Sequence, residues 1–351
     1  LSRKMMAYRM VEWLKPPQIV EADIPDPGPG DVLVKVAGNG LCHSDIGMQQ
    51  IPREIGEMIG WNMPFTLGHE VGGWVEALGE GVEGFAKGDP VALVSPHSCG
   101  KCSFCLRGHD NACEQGLCGR GYGRDGGLAE YVLAKAARET IKLNRLDPVT
   151  AGPLTDAGAT SYHAVKRVLP KLVPGSAAVV IGAGGLGSFA IQYARLMSPA
   201  KVIAIDVNPA RLDFARELGA HESLTGVDSS TAPDILKLTN GRGAEAVLDF
   251  VGIDATIEAG LAAVRRAGAF ALVGAGGGTF KLPWYGSLPK EAEIFTFQGP
   301  TIVDTHEVMA LAEAGLIRNE IEVFPFNRVR EAYEKLEHGK LRGRAVVTPN
   351  R

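Results

Sequence analysis

From Ala177 onward, five short apolar runs alternate with helical patterns: 178–181 (AVVI), 202–205 (VIAI), 247–250 (VLDF), 270–273 (FALV) and 294–297 (IFTF). Between them, 209–219 and 254–266 carry apolar residues at helical spacing. Runs this apolar have no face to offer water. They need cover on both sides, as in a parallel sheet with helices packed on each face. The pattern therefore predicts an α/β, doubly wound domain over 156–317, with 304–315 as its last helix.

The chain before it reads differently. Residues 5–37 alternate apolar and polar positions around the turn Asp26-Pro27-Gly28-Pro29-Gly30, and Val32, Val34 and Val36 share one face of a strand. Glycines punctuate short β-branched runs over 68–95. After Ile317 come a strand-like run (321–326), a helix (328–338) and a last strand (344–347). The expected division is a β-rich domain of 1–155 and 318–351 enclosing the parallel-sheet domain.

Composition narrows the function. With 45% hydrophobic and 22% charged residues the chain is not disordered, and a net charge of −4 gives no footprint for nucleic acid or anionic membranes. No apolar stretch reaches a membrane-spanning length of about 18 residues. The first 20 residues interrupt apolar positions with Arg3, Lys4, Arg9, Glu12 and Lys15. No secretory signal is expected there, and a cytoplasmic location is. Glycine stands out, at 45 of 351 residues, against a usual share of about 7%.

Part of that excess has a purpose. The run 178–181 is followed by Gly182-Ala183-Gly184-Gly185-Leu186-Gly187, a G-x-G-x-x-G loop leaving a strand and opening a helix. Such a loop lets backbone approach a pyrophosphate at a helix N-terminus. Asp206 ends the next apolar run, where the pattern places an acid on the adenosine ribose. Val207, Asn208 and Pro209 follow it, with no cation for a 2′-phosphate, so NAD is expected rather than NADP. Arg211 could lie over the adenine.

Five of the six cysteines fall between 99 and 118. Cys99-x2-Cys102-x2-Cys105-x7-Cys113 sits in a lobe poor in aliphatic residues. Four thiolates so spaced suit one tetrahedral structural zinc, which would stand in for a core. Cys118 is left as a small apolar residue. Gly40-Leu41-Cys42-His43-Ser44-Asp45 and Gly68-His69-Glu70 add a Cys, a His and carboxylates. Those groups could build a three-ligand zinc site with an open position. Taken from spacing alone, a lone Cys or His is more often a packed core residue.

These four segments, in this order and at these intervals, resemble the zinc-dependent alcohol dehydrogenases of the medium-chain dehydrogenase/reductase superfamily. The chain resembles bacterial secondary- and aryl-alcohol members more than the longer animal liver enzymes. The resemblance spans essentially the whole chain and implies a GroES-like catalytic domain joined to a Rossmann domain. It implies two zinc ions per chain, with Cys42, His69 and Asp156 holding the catalytic one. Asp156 stands where many members have Cys; without the resemblance it reads as a helix N-cap. Glu70 would lie behind the metal, Asp45 would orient His69, and Ser44 would take the substrate proton. Where some relatives extend the proton relay with a His, this chain has Gly47. His43, Thr160, Phe250, Val273 and Arg344 are assigned to the cofactor, Arg344 on the pyrophosphate.

The implied reaction moves a hydride between an alcohol and NAD, giving an aldehyde or ketone. The implied assembly is a homo-oligomer, tetramer or dimer. An apolar set over 46–63 (Met48, Ile51, Ile55, Met58, Ile59, Trp61, Met63), with Phe297, Gln298, Trp284 and Tyr285, predicts a roomy pocket for a bulky, secondary or aromatic alcohol. A polyol, an amino alcohol or an acyl-CoA-linked hydroxyl is the alternative substrate. A zinc- and dinucleotide-binding protein without turnover is the alternative of another class.

Overall fold

The computed structural model describes residues 3–281 and 283–350, without the side chains of Trp284 and Ser287. The chain forms two compact units, one of residues 1–159 and 299–351 and one of 160–298.

The second unit is a six-stranded parallel sheet. Its strands run in the order Glu222–Thr225, Lys201–Asp206, Ala177–Ile181, Ala244–Asp249, Val264–Leu272 and Glu293–Thr296. Chain order reverses beside Ala177–Ile181, as in the Rossmann arrangement, with the crevice for a ligand at that strand's carboxyl end. All five residues of Ala177–Ile181 are buried, which is why the run lacks polar alternation. The helix expected over 254–266 stops at Ala263. Val264 already begins the next strand, and Ala267, with φ of 59°, marks an irregularity before the apolar run.

The first unit is a β-rich, GroES-like body. A seven-stranded sheet has Asp31–Gly40 at its centre, paired antiparallel with Glu70–Leu78, Tyr131–Lys135 and Arg344–Thr348. The last strand is thus drawn back to the first domain, as the sequence predicts. Helix Val329–Glu337 packs over it. Its buried Val329, Ala332, Tyr333 and Leu336 join Tyr8, Met10, Trp61, Phe65 and Phe324 in one apolar core.

One boundary differs from expectation. Helix Ile302–Glu313 belongs to the first unit, so 299–317 do not close the Rossmann body. The Glu313 carboxylate accepts the backbone N–H groups of Asn144 and Arg145 at 2.8 and 2.9 Å, tying the helix to the first unit. Helical periodicity alone cannot reveal which unit a helix packs on. Among the described residues, no helix is long and apolar enough to cross a membrane.

Candidate active site and metal centres

Three stretches of the first unit converge on one cluster. Strand Asp31–Gly40 leads through Leu41 to Cys42, which precedes the short helix His43–Met48. His69 and Glu70 stand at the start of Glu70–Leu78. Helix Pro148–Pro153, capped by Asp147 on the Val149 N–H at 2.9 Å, lies against these strands. The fit is close because Gly72 and Gly152 lack side chains: a Cβ on either would come within 2.0 or 2.3 Å of a facing carbonyl oxygen. The helix then widens into a π-turn, Leu154–Gly158, which carries Asp156. Such turns occur often at functional sites. Asp156 is therefore inside a helical turn, not at an N-cap.

Cys42, His69, Glu70 and Asp156 each bring one ligand atom to within 4.8 Å of all the others. His69 Nε2 is 3.5 Å from Asp156 Oδ2, and His69 Nδ1 is 3.4 Å from Asp45 Oδ1. Several buried atoms lack a hydrogen-bond partner: Glu70 Oε2, His69 Nδ1 and Asp45 Oδ1. Sulfur, nitrogen and oxygen donors gathered around such atoms fit a zinc ion. Burial pushes the His69 pKa down, but Asp45, Asp156 and Cys42 outweigh it, and the net shift is well upward.

Glu70 and Arg344 are nearly inaccessible, at 0% and 3% exposure, and form a buried ion pair. Arg344 also donates to the Leu41 carbonyl at 2.7 Å. Burial pushes the Glu70 carboxyl up to about 7 against the opposing pull of Arg344, and Asp156 adds to the rise. Arg344, expected on a pyrophosphate, is thus engaged by a carboxylate behind the cluster. Sequence showed its charge but not its burial.

Ser44 and His43 are exposed on the short helix, while Asp45 beside them is fully buried. Asp45 Oδ2 accepts from the Cys42 N–H at 3.1 Å and from the Tyr333 hydroxyl at 2.9 Å. Sequence reasoning missed Tyr333, which lies 288 positions downstream. It also missed Tyr122, whose ring meets that of His69 edge-on at 6.1 Å.

The pocket expected from 46–63 is corrected. Met48 and Trp61 lie in the core, with Ile51, Ile59 and Met63 packed against it. Ile55 and Met58, at 45% and 73% exposure, face out. Alternation along these short helices was too brief to separate core from lining. Phe297 packs on His163, with ring centroids 4.6 Å apart, and Tyr285 is exposed. The Trp284 side chain lies outside the described residues.

The cysteine lobe forms the second cluster. The Sγ atoms of Cys99, Cys102, Cys105 and Cys113 lie within 4.8 Å of one another and form no disulfides. Cys102 and Cys105 are 3.5 Å apart, and Cys99 and Cys105 4.0 Å. A tetrahedral zinc with bonds of about 2.3 Å has sulfur–sulfur edges of about 3.8 Å, so the spacing suits it. Backbone N–H groups of Cys105 and Glu114 draw the Cys102 thiol down to about 6. Cys118 stays outside the set, with its thiol on the Gly60 carbonyl.

In the second unit the glycine loop occupies the carboxyl end of Ala177–Ile181. A Cβ on Gly187 would sit 1.8 Å from the Gly182 carbonyl oxygen, so only glycine lets the helix Gly187–Met197 start there. A Cβ on Gly184 would meet Arg211 only at 3.5 Å, an ordinary contact. Protein packing therefore does not demand that glycine. Asp206 is buried. Its oxygens accept the N–H groups of Ala183 and Asn208, both at 2.8 Å, and Arg211 Nη1 is 3.8 Å away. Leu186 precedes the helix and offers its carbonyl to the Ser161 hydroxyl. Phe250 and Val273 are half-buried, bonded by their N–H groups to Ile181 and Asp249. Thr160 is buried.

Comparison with known proteins agrees with both units. Residues 28–145 match the alcohol dehydrogenase GroES-like domain, and residues 185–314 match the zinc-binding dehydrogenase model. The NAD-dependent alcohol dehydrogenase of Sulfurisphaera tokodaii is 35% identical over 98% of this chain and 100% of its own. The D-arabinose 1-dehydrogenase (NADP(+)) of Saccharolobus solfataricus is 32% identical over 99% of this chain and 98% of its own. The crystal structure of an alcohol dehydrogenase from the hyperthermophilic archaeon Aeropyrum pernix superposes with a TM-score of 0.90. It is 36% identical and covers 98% of this chain and 100% of its own. These relatives are archaeal, so the narrower likeness to bacterial aryl-alcohol members is not what they show. Two domain models in the right order, and end-to-end likeness to such enzymes, establish that the chain is an enzyme belonging to the zinc-type alcohol dehydrogenases of the medium-chain dehydrogenase/reductase superfamily.

Proposed function

We propose that this enzyme interconverts an alcohol and its aldehyde or ketone, with NAD as the hydride carrier. The observation that carries the proposal is the gathering of Cys42, His69 and Asp156 beside the Glu70–Arg344 pair. In this reading Cys42, His69 and Asp156 hold a catalytic zinc. One thiolate, one carboxylate and a neutral imidazole balance its two charges. Arg344 holds Glu70 back, leaving the fourth position for substrate. Cys99, Cys102, Cys105 and Cys113 hold a structural zinc.

When bound, zinc would lower the pKa of the alcohol hydroxyl, and NAD would take the hydride. The chain's own groups do the rest. Asp45 holds the His69 ring through Nδ1, leaving Nε2 toward the cluster. Ser44, exposed on its helix, receives the substrate proton and passes it to solvent. The Gly182–Gly187 loop offers backbone N–H groups to the pyrophosphate. Asp206 accepts the ribose hydroxyls and repels a 2′-phosphate. His43, Thr160, Arg211, Phe250 and Val273 complete the cofactor contacts.

The proposed substrate is a bulky secondary or aromatic alcohol, a choice supported by likeness to the acetophenone reductase of Geotrichum candidum, 29% identical over 99% of this chain and 98% of its own, with a TM-score of 0.86. A second reading, a sugar or other polyol, is favoured by the likeness to D-arabinose 1-dehydrogenase (NADP(+)). A panel of primary, secondary, aromatic and polyhydric alcohols, run with NAD and NADP side by side, separates the two. Preference for polyols, or for NADP, would overturn the first reading.

A further inference from the structure

The Asp45 carboxylate is fully buried, and its two oxygens have different neighbours. Oδ1 faces His69 Nδ1 at 3.4 Å and has no hydrogen-bond partner of its own. Oδ2 takes two donors, the Cys42 N–H and the Tyr333 hydroxyl. The Cys42 N–H comes from the same capping turn and moves with it. The phenol comes from a different element, helix Val329–Glu337, and is anchored independently. Its ring stacks on Tyr8 with centroids 5.9 Å apart and lies within the main apolar core of this unit. Burial and the nearby Asp45 both raise the Tyr333 pKa well above its ordinary value, so the phenol remains a donor.

A carboxylate held by one donor on a short helix can rotate about its terminal torsion, which is broad and roughly two-fold. A second donor on a rigid support removes that freedom and keeps Oδ1 on the imidazole. We propose that Tyr333 is a positioning residue for the catalytic metal centre: its hydroxyl fixes Asp45, and Asp45 fixes the ring of His69. The proposal rests on Cys42, His69 and Asp156 being the ligands.

The test is Tyr333→Phe, which keeps the ring and its packing and removes one donor. Full-length protein carrying its zinc is mixed with a chromogenic chelator, and zinc release is followed in time. The phase missing from Cys42→Ala belongs to this centre. Direct outer partners of a metal-bound His typically contribute about 10–100-fold to metal affinity, so a residue one bond further out should contribute about 3–10-fold. Tyr333→Phe should speed that phase by this factor while leaving the cysteine-lobe phase unmoved; the lost bond to a buried carboxylate should also lower the unfolding midpoint by a few degrees. In an Asp45→Asn background the same change should have no further effect.

Equal acceleration with and without Asp45, acceleration of both phases, or no acceleration at all would overturn the proposal. If Cys42→Ala lacks no phase, the ligand assignment itself is wrong, a failure distinct from that of Tyr333, and the proposal falls with it.

Discussion

Replacing Arg344 by Met removes the cation from a pair in which Glu70 is wholly buried. The cost depends on what Glu70 does next. With Arg344 in place its pKa is about 7, and Arg344 is the main group holding it down. Without Arg344 it rises further, so near neutral pH the carboxyl keeps its proton and avoids a bare buried charge. Below about pH 7 both proteins have Glu70 largely protonated. The variant then loses the bond to the Leu41 carbonyl and some packing, about 1–2 kcal/mol. Above that pH the wild-type folded state releases the proton and the variant's does not. The variant's folded state binds more protons, so its deficit must grow as pH rises, by about 1.4 kcal/mol per unit. By pH 9 the total reaches about 4–5 kcal/mol, in line with the usual cost of breaking a buried pair.

The assay is thermal unfolding from pH 6 to 9 of wild type, Arg344→Met, Glu70→Gln and the double variant. All are treated alike with chelator, so that only protein groups titrate. At roughly 2–4 °C per kcal/mol for a domain of this size, the deficit at pH 9 is readily resolved. The double variant lacks the Glu70 carboxyl, so its offset from Glu70→Gln should change with pH far less than the offset of Arg344→Met from wild type. A deficit for Arg344→Met that stays constant or shrinks as pH rises would refute the reasoning.

Three further outcomes are expected. Asp206→Ser should weaken NAD binding and improve NADP relative to it, read as the ratio of kcat/KM values; an unchanged ratio would contradict the assignment. Gly187→Ala forces a Cβ onto the Gly182 carbonyl oxygen, so NAD affinity by titration calorimetry should fall at least tenfold; affinity equal to wild type would mean the loop does not hold the cofactor. Burial pushes the Glu139 carboxyl up, but Arg120, His97 and the Lys135 N–H bring it down to about 2. Its contribution is therefore present above the unfolded pKa near 4.5 and lost as pH falls toward 2. Glu139→Gln should cost up to ~3 kcal/mol at pH 6, and denaturant curves should show the gap narrowing below pH 4.5; a gap that widens there would be inconsistent with the pairing.

The motifs legible in the sequence are those in which one short segment carries its own chemistry. Four cysteines within one lobe, a glycine loop on a buried strand and an acid closing the next strand can each be read locally. The Rossmann order follows from apolar runs that admit no exposed face. Contacts made across the chain leave no such mark. Arg344 reads as a charged, surface residue opening the last strand until strand pairing carries it behind Glu70. Tyr333 reads only as the inward side of an amphipathic helix. The helix 302–313 has a clear period but no sign of which unit it joins. The glycines in 274–278 (GAGGG) have a local reason that the sequence does not show. Gly276 and Gly278 donate to the carbonyls of Val251 and Gly252, and Gly274 to that of Asp249. A Cβ on Gly274 would meet the backbone of Phe250 and Val251 at 2.4 Å. Two loops of the sheet lie flush against each other there, and side chains would hold them apart.

In the proposed reading Cys42, His69 and Asp156 hold a zinc that NAD-linked alcohol oxidation requires. The most direct measurement pairs zinc content per chain with alcohol-dependent NADH formation, for wild type and for Cys42→Ala. Wild type should hold about two zinc ions and turn over. The variant should retain about one, in the cysteine lobe, and lose activity by about a thousandfold or more, the loss expected when several kcal/mol of metal-derived transition-state stabilisation disappear. Full turnover by Cys42→Ala, or two zinc ions retained with that ligand gone, would contradict the account.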